Sequence, residues 1–301
     1  MELELKSGKY VLAVSGGVDS VVLLDILCHN FAVSKTRSWK DVVAHFDHGI
    51  RADSGDDRKF VQKLAAKYGL DFFYDEGKLG AKASEALARE KRYEFLEKVR
   101  AQTKSQAIIT AHHQDDLLET AIINIMRGTG RKGLSSLAST DLIRRPMLGF
   151  SKAEIKNYAL KNKLEWREDP SNKQEKYLRN YVRRQIVAKF SLVQRQTWLD
   201  KISSASNINQ AADQIISNLL AEHSQNNKLD RLWFCALPHD VSKEVLAAWL
   251  RSKNASFDRR QLERLTILTK TRAPGKRLDV DKYVKIGIEP KFLNIIGTRL
   301  H

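Results

Sequence analysis

The sequence is poor in cysteine. Only Cys28 and Cys235 occur among 301 residues, which excludes a scaffold of several disulfides and a four-cysteine metal site. No apolar run approaches the ~20 residues that a membrane-spanning helix needs. The opening residues, MELELKSGKY, have no apolar stretch behind their charges, so they are not read as a secretory signal. GxxxxGK[ST] is absent, which excludes the Walker type of nucleotide loop. There is no internal repeat and no low-complexity tract. A soluble, cytoplasmic protein is expected, and its 42% of hydrophobic residues supports a buried core.

Positive charge is in excess: 52 lysines and arginines against 36 aspartates and glutamates leave +16. The excess is uneven. Residues 1–100 carry +1, residues 101–200 carry +8 and residues 201–301 carry +7. Residues 127–190 alone hold 16 basic against 6 acidic groups. Such a density is the footprint of a polyanion site, because each neutralised phosphate releases condensed counterions. A charged surface that only maintains solubility is the competing reading.

The length fits about two domains at ~150 residues each. In the first half, short apolar runs at 9–14, 41–46, 71–74 and 107–110 alternate with helix-length segments at 18–27, 56–69, 83–101, 115–127 and 152–162. Strands separated by helices predict βαβ units and a doubly wound, mostly parallel α/β sheet. Residues 178–222 read as helical throughout. Beyond them, helices at 241–252 and 258–269 and strand-like runs at 277–280, 283–288 and 292–296 predict a smaller helical or α+β C-terminal domain. The polar segment AEHSQNNKLD marks the boundary region, which divides the chain into 1–205 and 206–301.

Ser15-Gly16-Gly17-Val18-Asp19-Ser20 directly follows the first strand and opens the first helix. Glycines there allow a sharp turn and a close approach of backbone N–H groups to an anion, and the helix N-terminus adds its dipole. Ser15 and Ser20 offer hydroxyl donors. Asp19 would repel a phosphate, which points to Mg²⁺ or to catalysis. An ordinary strand-to-helix turn is the alternative. Gly128-Thr129-Gly130-Arg131-Lys132-Gly133 matches GxGxxG, but it follows a helix and reads as a helix C-cap leading into a basic loop.

SGGxDS in this setting resembles the PP-loop, or N-type, ATP pyrophosphatases, which cleave ATP between the α- and β-phosphates to adenylate a substrate. Further motifs follow in order: HFDHGIR at 45–51, EALAR at 85–89 with Arg92-Tyr93, and AHHQDD at 111–116 with Glu119-Thr120. Arg127-Gly128, Gly133-Leu134, RPML at 145–148, DPSN at 169–172, Tyr177, Arg179-Asn180 and Arg183 complete the set. Over residues 11 to about 185 this combination resembles the tRNA(Ile)-lysidine synthetase family. SGGxDS alone carries only the superfamily, whereas its combination with AHHQDD and the Arg-Asn segment is specific.

The resemblance implies a ligase that uses ATP and Mg²⁺ to join L-lysine to C2 of cytidine 34 in the CAU anticodon of tRNA(Ile). The base would first be adenylated with release of pyrophosphate, and the lysine amine would then displace AMP. The resemblance also implies a tRNA-binding C-terminal domain, in an architecture shorter than that of longer family members. A homodimer is compatible with this reading.

Asp19, Asp116, His112 and Arg89 are the catalytic candidates. A carboxylate can hold the incoming ammonium and help remove its proton, and guanidinium groups neutralise charge on an attacked α-phosphate. Ser15, Gly16, Gly17, Val18, Asp19, Ser20, His45, Arg92 and Arg127 are assigned to the nucleotide, with Asp19 also the Mg²⁺ ligand. Arg145, Tyr177, Arg179, Asn180 and Arg183 are assigned to RNA, because aromatics interleaved with arginines can stack an unpaired base and hold phosphates. Several alternatives stay open. His45 reads equally well as a hydrogen-bonded core histidine, Asp115 as a helix cap, and the 177–184 run as a helix with solvated arginines. Zinc at His112-His113 is disfavoured because adjacent side chains point apart. A thiolase-type tRNA modifier of the same superfamily would need reactive cysteines. A small-molecule ligase would leave the basic charge unexplained, and a non-catalytic RNA-binding module would leave the motifs without a role.

Overall fold

The computed structural model describes residues 1, 3, 5–33, 41–49, 54–77, 80, 85–168 and 178–297. Two compact units emerge, Met1–Ser206 and Asn207–His301. No described helix is long and apolar enough to cross a membrane.

The first unit is built on five parallel strands: β1 (Tyr10–Ala13), β2 (Val42–Asp47), β3 (Asp71–Glu76), β4 (Ala107–Ile109) and β5 (Ile143–Arg144). They lie in the order β3-β2-β1-β4-β5. Helices α1 (Val18–Val33), α2 (Ser54–Lys67), α3 (Glu85–Gln102), α4 (Gln114–Met126) and α5 (Lys152–Lys161) connect and follow them. Alternate strand residues feed two cores. Leu12, Val43 and Ile109 pack with α1, while Val11, Val42 and Ile108 pack with Phe95, Leu96 and Val99 of α3. α1 is apolar on nearly every side because α2 and α5 cover what the sheet does not. Its single buried acid, Asp25, accepts hydrogen bonds from Tyr68 at 2.5 Å and Tyr158 at 2.9 Å. Burial and Asp25 push the Tyr158 hydroxyl up to about 12, so it remains a donor.

The strand order reverses between β1 and β4, and a crevice beyond the carboxyl ends of such a pair is where this architecture takes ligands. SGGVDS follows β1 and AHHQDD follows β4, so topology alone brings the two motifs to one edge. Gly128, with φ +63°, ends α4: Gly128 N–H bonds Ile125 O and Thr129 N–H bonds Asn124 O. This is the double bond pattern of a Schellman cap, as expected for the second glycine motif.

The stretch expected to be one helix is interrupted. It consists of α6 (Leu178–Tyr181), a π-helical turn over Val182–Ile186, a 3-10 turn over Val187–Lys189, and then α7 (Leu192–His223). The widened turn lets Val182 and Val187 pack on Leu118, Ala121 and Ile122 of α4 while Arg183 reaches Glu119.

The second unit holds an antiparallel sheet in the order β6-β7-β10-β9-β8, formed by β6 (Ser224–Gln225), β7 (Lys228–Asp230), β8 (Arg277–Asp279), β9 (Lys285–Ile288) and β10 (Phe292–Ile296). α8 (Arg231–Ala236), α9 (His239–Arg251) and α10 (Arg259–Thr271) complete it, with Phe234, Leu246, Trp249, Leu265, Ile286 and Leu293 in its core. The polar segment read as a boundary is in fact the end of α7 and the β6–β7 hairpin. Asn226 and Asn227 turn that hairpin at φ +48° and +65°, the left-handed pair that a tight hairpin requires.

Candidate active site

A cavity of about 320 Å³ opens at the carboxyl ends of β1, β2 and β4. Ser15, Asp19 and Ser20 line one side, Ala44 to His48 another, and Arg92, Leu96 and Thr110 to His112 the rest. The loop after β1 owes its shape to Gly16, at φ +91°, a conformation that an L side chain would strain. Ser20 is 4% exposed. Its hydroxyl accepts from the backbone N–H groups of Ser15 and Gly16, both at 3.2 Å, and donates to Gly17 O at 2.9 Å. Ser20 therefore braces the loop from within, and the first turn of α1 presents its amides to the cavity. Arg167 N–H bonds Gly16 O at 3.0 Å and fixes the loop from the segment after α5.

His45 is a buried, hydrogen-bonded histidine in the cavity wall, with Nδ1 on Val14 O at 2.9 Å. Burial holds its pKa below the ordinary histidine value. His112 shares a 2.8 Å hydrogen bond with Thr110. Burial, together with Arg92, Arg145 and Arg89, pushes it far below the ordinary value, against the opposing pull of Asp116. Both histidines are neutral at pH 7 in the folded chain. An unfolded chain binds a proton at each as pH falls through about 6.5, where the folded chain refuses it, so stability is lost below that pH. Between pH 7.5 and 5.5, His112→Gln should lose about 1 kcal/mol less unfolding free energy than the parent, read from urea denaturation. Equal losses would show that His112 charges normally in the folded chain.

His113, not Asp115, caps α4. Its Nδ1 accepts from Asp115 N–H at 3.2 Å, and Asp116 Oδ2 accepts from His113 N–H at 3.1 Å. His113 Nε2 lies 3.7 Å from Asp19 and 3.5 Å from Asp116. Those two carboxylates thus converge on one atom. Burial would raise the Asp116 carboxyl, but His113, His112 and Arg183 outweigh it and hold it below the usual carboxylate range. Asp115 instead takes Arg195 at 2.7 Å.

Arg92 and Arg145 gather by Tyr93, with the exposed Arg89 stacked on its ring at 5.0 Å. Each of Arg92 and Arg145 has an Nε closed off from solvent without a hydrogen-bond partner, and neither has an ion pair among the described residues. Burial lowers both guanidinium pKa values. Such a cluster of cations is completed by an anion.

The arginines assigned to RNA point inward. Arg183 grips Glu119 with two bonds of 2.6 and 3.0 Å, and Arg179 bonds Thr120 at 2.8 Å and lies 3.6 Å from Glu119. Glu119 is 0% exposed. Burial pushes its carboxyl up and Arg183 pulls it down, and the two-pronged contact with an always-charged guanidinium is that of an ion pair. Asn180 is buried beside them. Arg127 is exposed at the far end of α4, about 20 Å of helix away from AHHQDD, and is not brought to the cavity. Tyr177 lies outside the described residues.

Lys152 was missed by the sequence reading. It bonds both oxygens of Asp19, at 2.6 and 2.7 Å, from 133 positions away. Among the described residues no three metal-ligating side chains cluster. Asp19 and Asp116 alone suit Mg²⁺, which characteristically takes one or two carboxylates and fills its shell with water and phosphate oxygens. Burial, Asp41 and Asp25 push the Cys28 thiol up to about 12, which makes it unreactive. In the second unit, Arg264, Arg272, Lys276 and Arg277 line a separate cavity of about 360 Å³.

A parallel sheet with a glycine turn after β1, a buried cation cluster and paired carboxylates at the strand reversal define a PP-loop nucleotide fold. The PP-loop domain model matches residues 2–190, and the chain belongs to that family. Its relatives narrow the class. A tRNA(Ile)-lysidine synthase of Anaplasma marginale is 39% identical over 194 residues, covering 62% of this chain and 41% of that protein. The tRNA(Ile)-lysidine synthase of Thermotoga maritima is 38% identical over 191 residues, covering 61% and 45%. That of Francisella tularensis subsp. holarctica is 29% identical over 292 residues, covering 93% and 71%. The chain thus spans less than half the length of the first two. Among solved structures, the U34-tRNA thiolase NcsA of Methanococcus maripaludis, with its [4Fe-4S] cluster, shares the fold. Its TM-score is 0.56 at 16% identity, over 68% of this chain and 73% of that one.

Proposed function

We propose that the protein is an ATP-dependent tRNA ligase that joins L-lysine to C2 of cytidine 34 in the CAU anticodon of tRNA(Ile). The observation that carries this reading is the cavity lined by the SGGVDS loop with Asp19, by His112 and by Arg92, beside which lie Asp116 and Arg145, with the Nε atoms of Arg92 and Arg145 closed off without a partner. The relatives' shared name supplies the substrate pair.

The amides of the first turn of α1 hold the departing phosphates. Val14, Ala44, Phe46 and Leu96 offer apolar walls for the adenine. Arg89, Arg92 and Arg145 neutralise the α-phosphate as the C2 carbonyl oxygen of the cytidine bonds to phosphorus and pyrophosphate leaves. The lysine ε-amine then bonds to C2, the C2–O bond breaks, and AMP departs with that oxygen. Asp116 holds the incoming ammonium and helps to remove its proton. Asp19 would hold Mg²⁺, which would supply charge neutralisation to the phosphates. Arg179 and Arg183 act on RNA indirectly, by fixing α4, while exposed Tyr181 of the same segment offers a ring for base stacking. The basic cavity of the second unit suits the tRNA backbone.

The test is incorporation of radiolabelled lysine into an unmodified CAU-anticodon tRNA(Ile) transcript. Label should depend on ATP and vanish when C34 is changed. Pyrophosphate release with RNA but no lysine label would reject lysine as the nucleophile, and no pyrophosphate at all would reject the ligase reading.

A further inference from the structure

Lys152 is out of place by local rules and held in place by tertiary ones. Ser151 caps α5, with Glu154 closing the capping box, so Lys152 is the first residue of the helix. A cation there faces the positive end of the helix dipole and is disfavoured. Both flanks of its backbone are nevertheless fastened to the first turn of α4. Gln114 N–H bonds Phe150 O at 2.9 Å, and Lys152 N–H bonds Asp115 Oδ1 at 3.4 Å, with Asp115 itself held by Arg195. The side chain then reaches Asp19 with its ammonium.

Asp19 lines the nucleotide cavity, and its charge opposes a polyphosphate. We infer that Lys152 is a phosphate-binding residue held in reserve. While the cavity lacks nucleotide, its ammonium neutralises Asp19; when ATP enters, it turns to the oxygens of the β- and γ-phosphates. The lysine stem has four carbons and three rotatable donors, and the side chain is 35% exposed. The ammonium can therefore swing off Asp19 about a backbone that stays fixed. The inference rests on the assignment of the cavity to a nucleotide.

The experiment is calorimetric binding of ATP with Mg²⁺, AMP, and inorganic pyrophosphate to the full chain and to Lys152→Met and Lys152→Arg. Lys152→Met should weaken ATP and pyrophosphate by about tenfold or more, the effect of one charge-assisted contact. AMP binding should be unchanged, and Lys152→Arg should recover most of the loss. Equal weakening of ATP and AMP would assign Lys152 a structural role and overturn the inference, as would no weakening of either. A second variant covers misfolding of Lys152→Met: Asp19→Asn releases the ammonium and should tighten metal-free pyrophosphate several-fold. Unchanged or weaker pyrophosphate binding by Asp19→Asn would equally reject the reserve role. These readouts do not involve lysine transfer, so a chain that binds ATP in this pattern but labels no tRNA would fail only the ligase reading.

Discussion

Asp116→Asn should lower lysine incorporation by about 10²–10⁴-fold, the range for loss of a positioned proton acceptor. The asparagine oxygen can still accept the His113 N–H that Asp116 accepts at 3.1 Å, so the cap of α4 survives. What is lost is a negative charge set among His113, His112 and Arg183. Binding of tRNA(Ile), measured by gel shift, should therefore be unchanged. Asp19→Asn should behave in the same way in the lysine assay, since its carboxylate faces the same His113 Nε2. Near-normal turnover by both variants would remove these carboxylates from the chemistry. Loss of folding, seen as a lost unfolding transition, would instead give Asp116 a structural role.

Glu119→Ala should be the most destabilising single change at the site. Glu119 is fully buried and is held by Arg183 and Arg179, so its removal takes the bonded carboxylate from both guanidinium groups beside the apolar cluster of α4, leaving Arg183 only Asp116 at 3.6 Å. Breaking a buried pair from one side costs about 3–5 kcal/mol, and the partial exposure of Arg183 favours the lower end. For a unit of this size, about 3 kcal/mol lowers Tm by roughly 6–12 °C, measurable by calorimetry. The double variant Glu119→Ala/Arg183→Met should be more stable than Glu119→Ala alone, because the guanidinium that lost its bonded carboxylate is gone. If the double variant is less stable than the single, the pair is not what Glu119 contributes.

Much of the first unit was legible in the sequence because its signals are local. Strand β1 is read from the apolar run at 9–14, the turn from Gly16 and Gly17, and α5 from the helix-length segment at 152–162. The misread elements lack such signals. β5 is two residues long, and Asn226-Asn227 reads as polar linker unless both residues are recognised as able to take positive φ. The interruption at Val182–Ile186 has no proline or glycine to announce it. It falls where Arg183 meets Glu119, 64 residues earlier, and where Val182 packs on α4.

The chemistry divides along the same line. Residue types and their placement after apolar strands marked the glycine loop, Asp19, Asp116 and His112 as candidates, whereas Arg89 and Arg92, inside α3, were marked by the family resemblance. Short-range backbone geometry decides what a turn presents, and parallel sheets present it at one edge. Sequence could not decide which arginines face an anion and which are already paired. Arg145 and Arg183 are alike as letters, yet one Nε is left unpaired in the cation cluster and the other is bonded to Glu119. Nor could it connect Lys152 to Asp19, or choose His113 over Asp115 as the cap. Charge pairing depends on distance and burial between remote segments, and only the packing of α4, α5 and the 178–189 segment around the strand reversal brings those charges within reach.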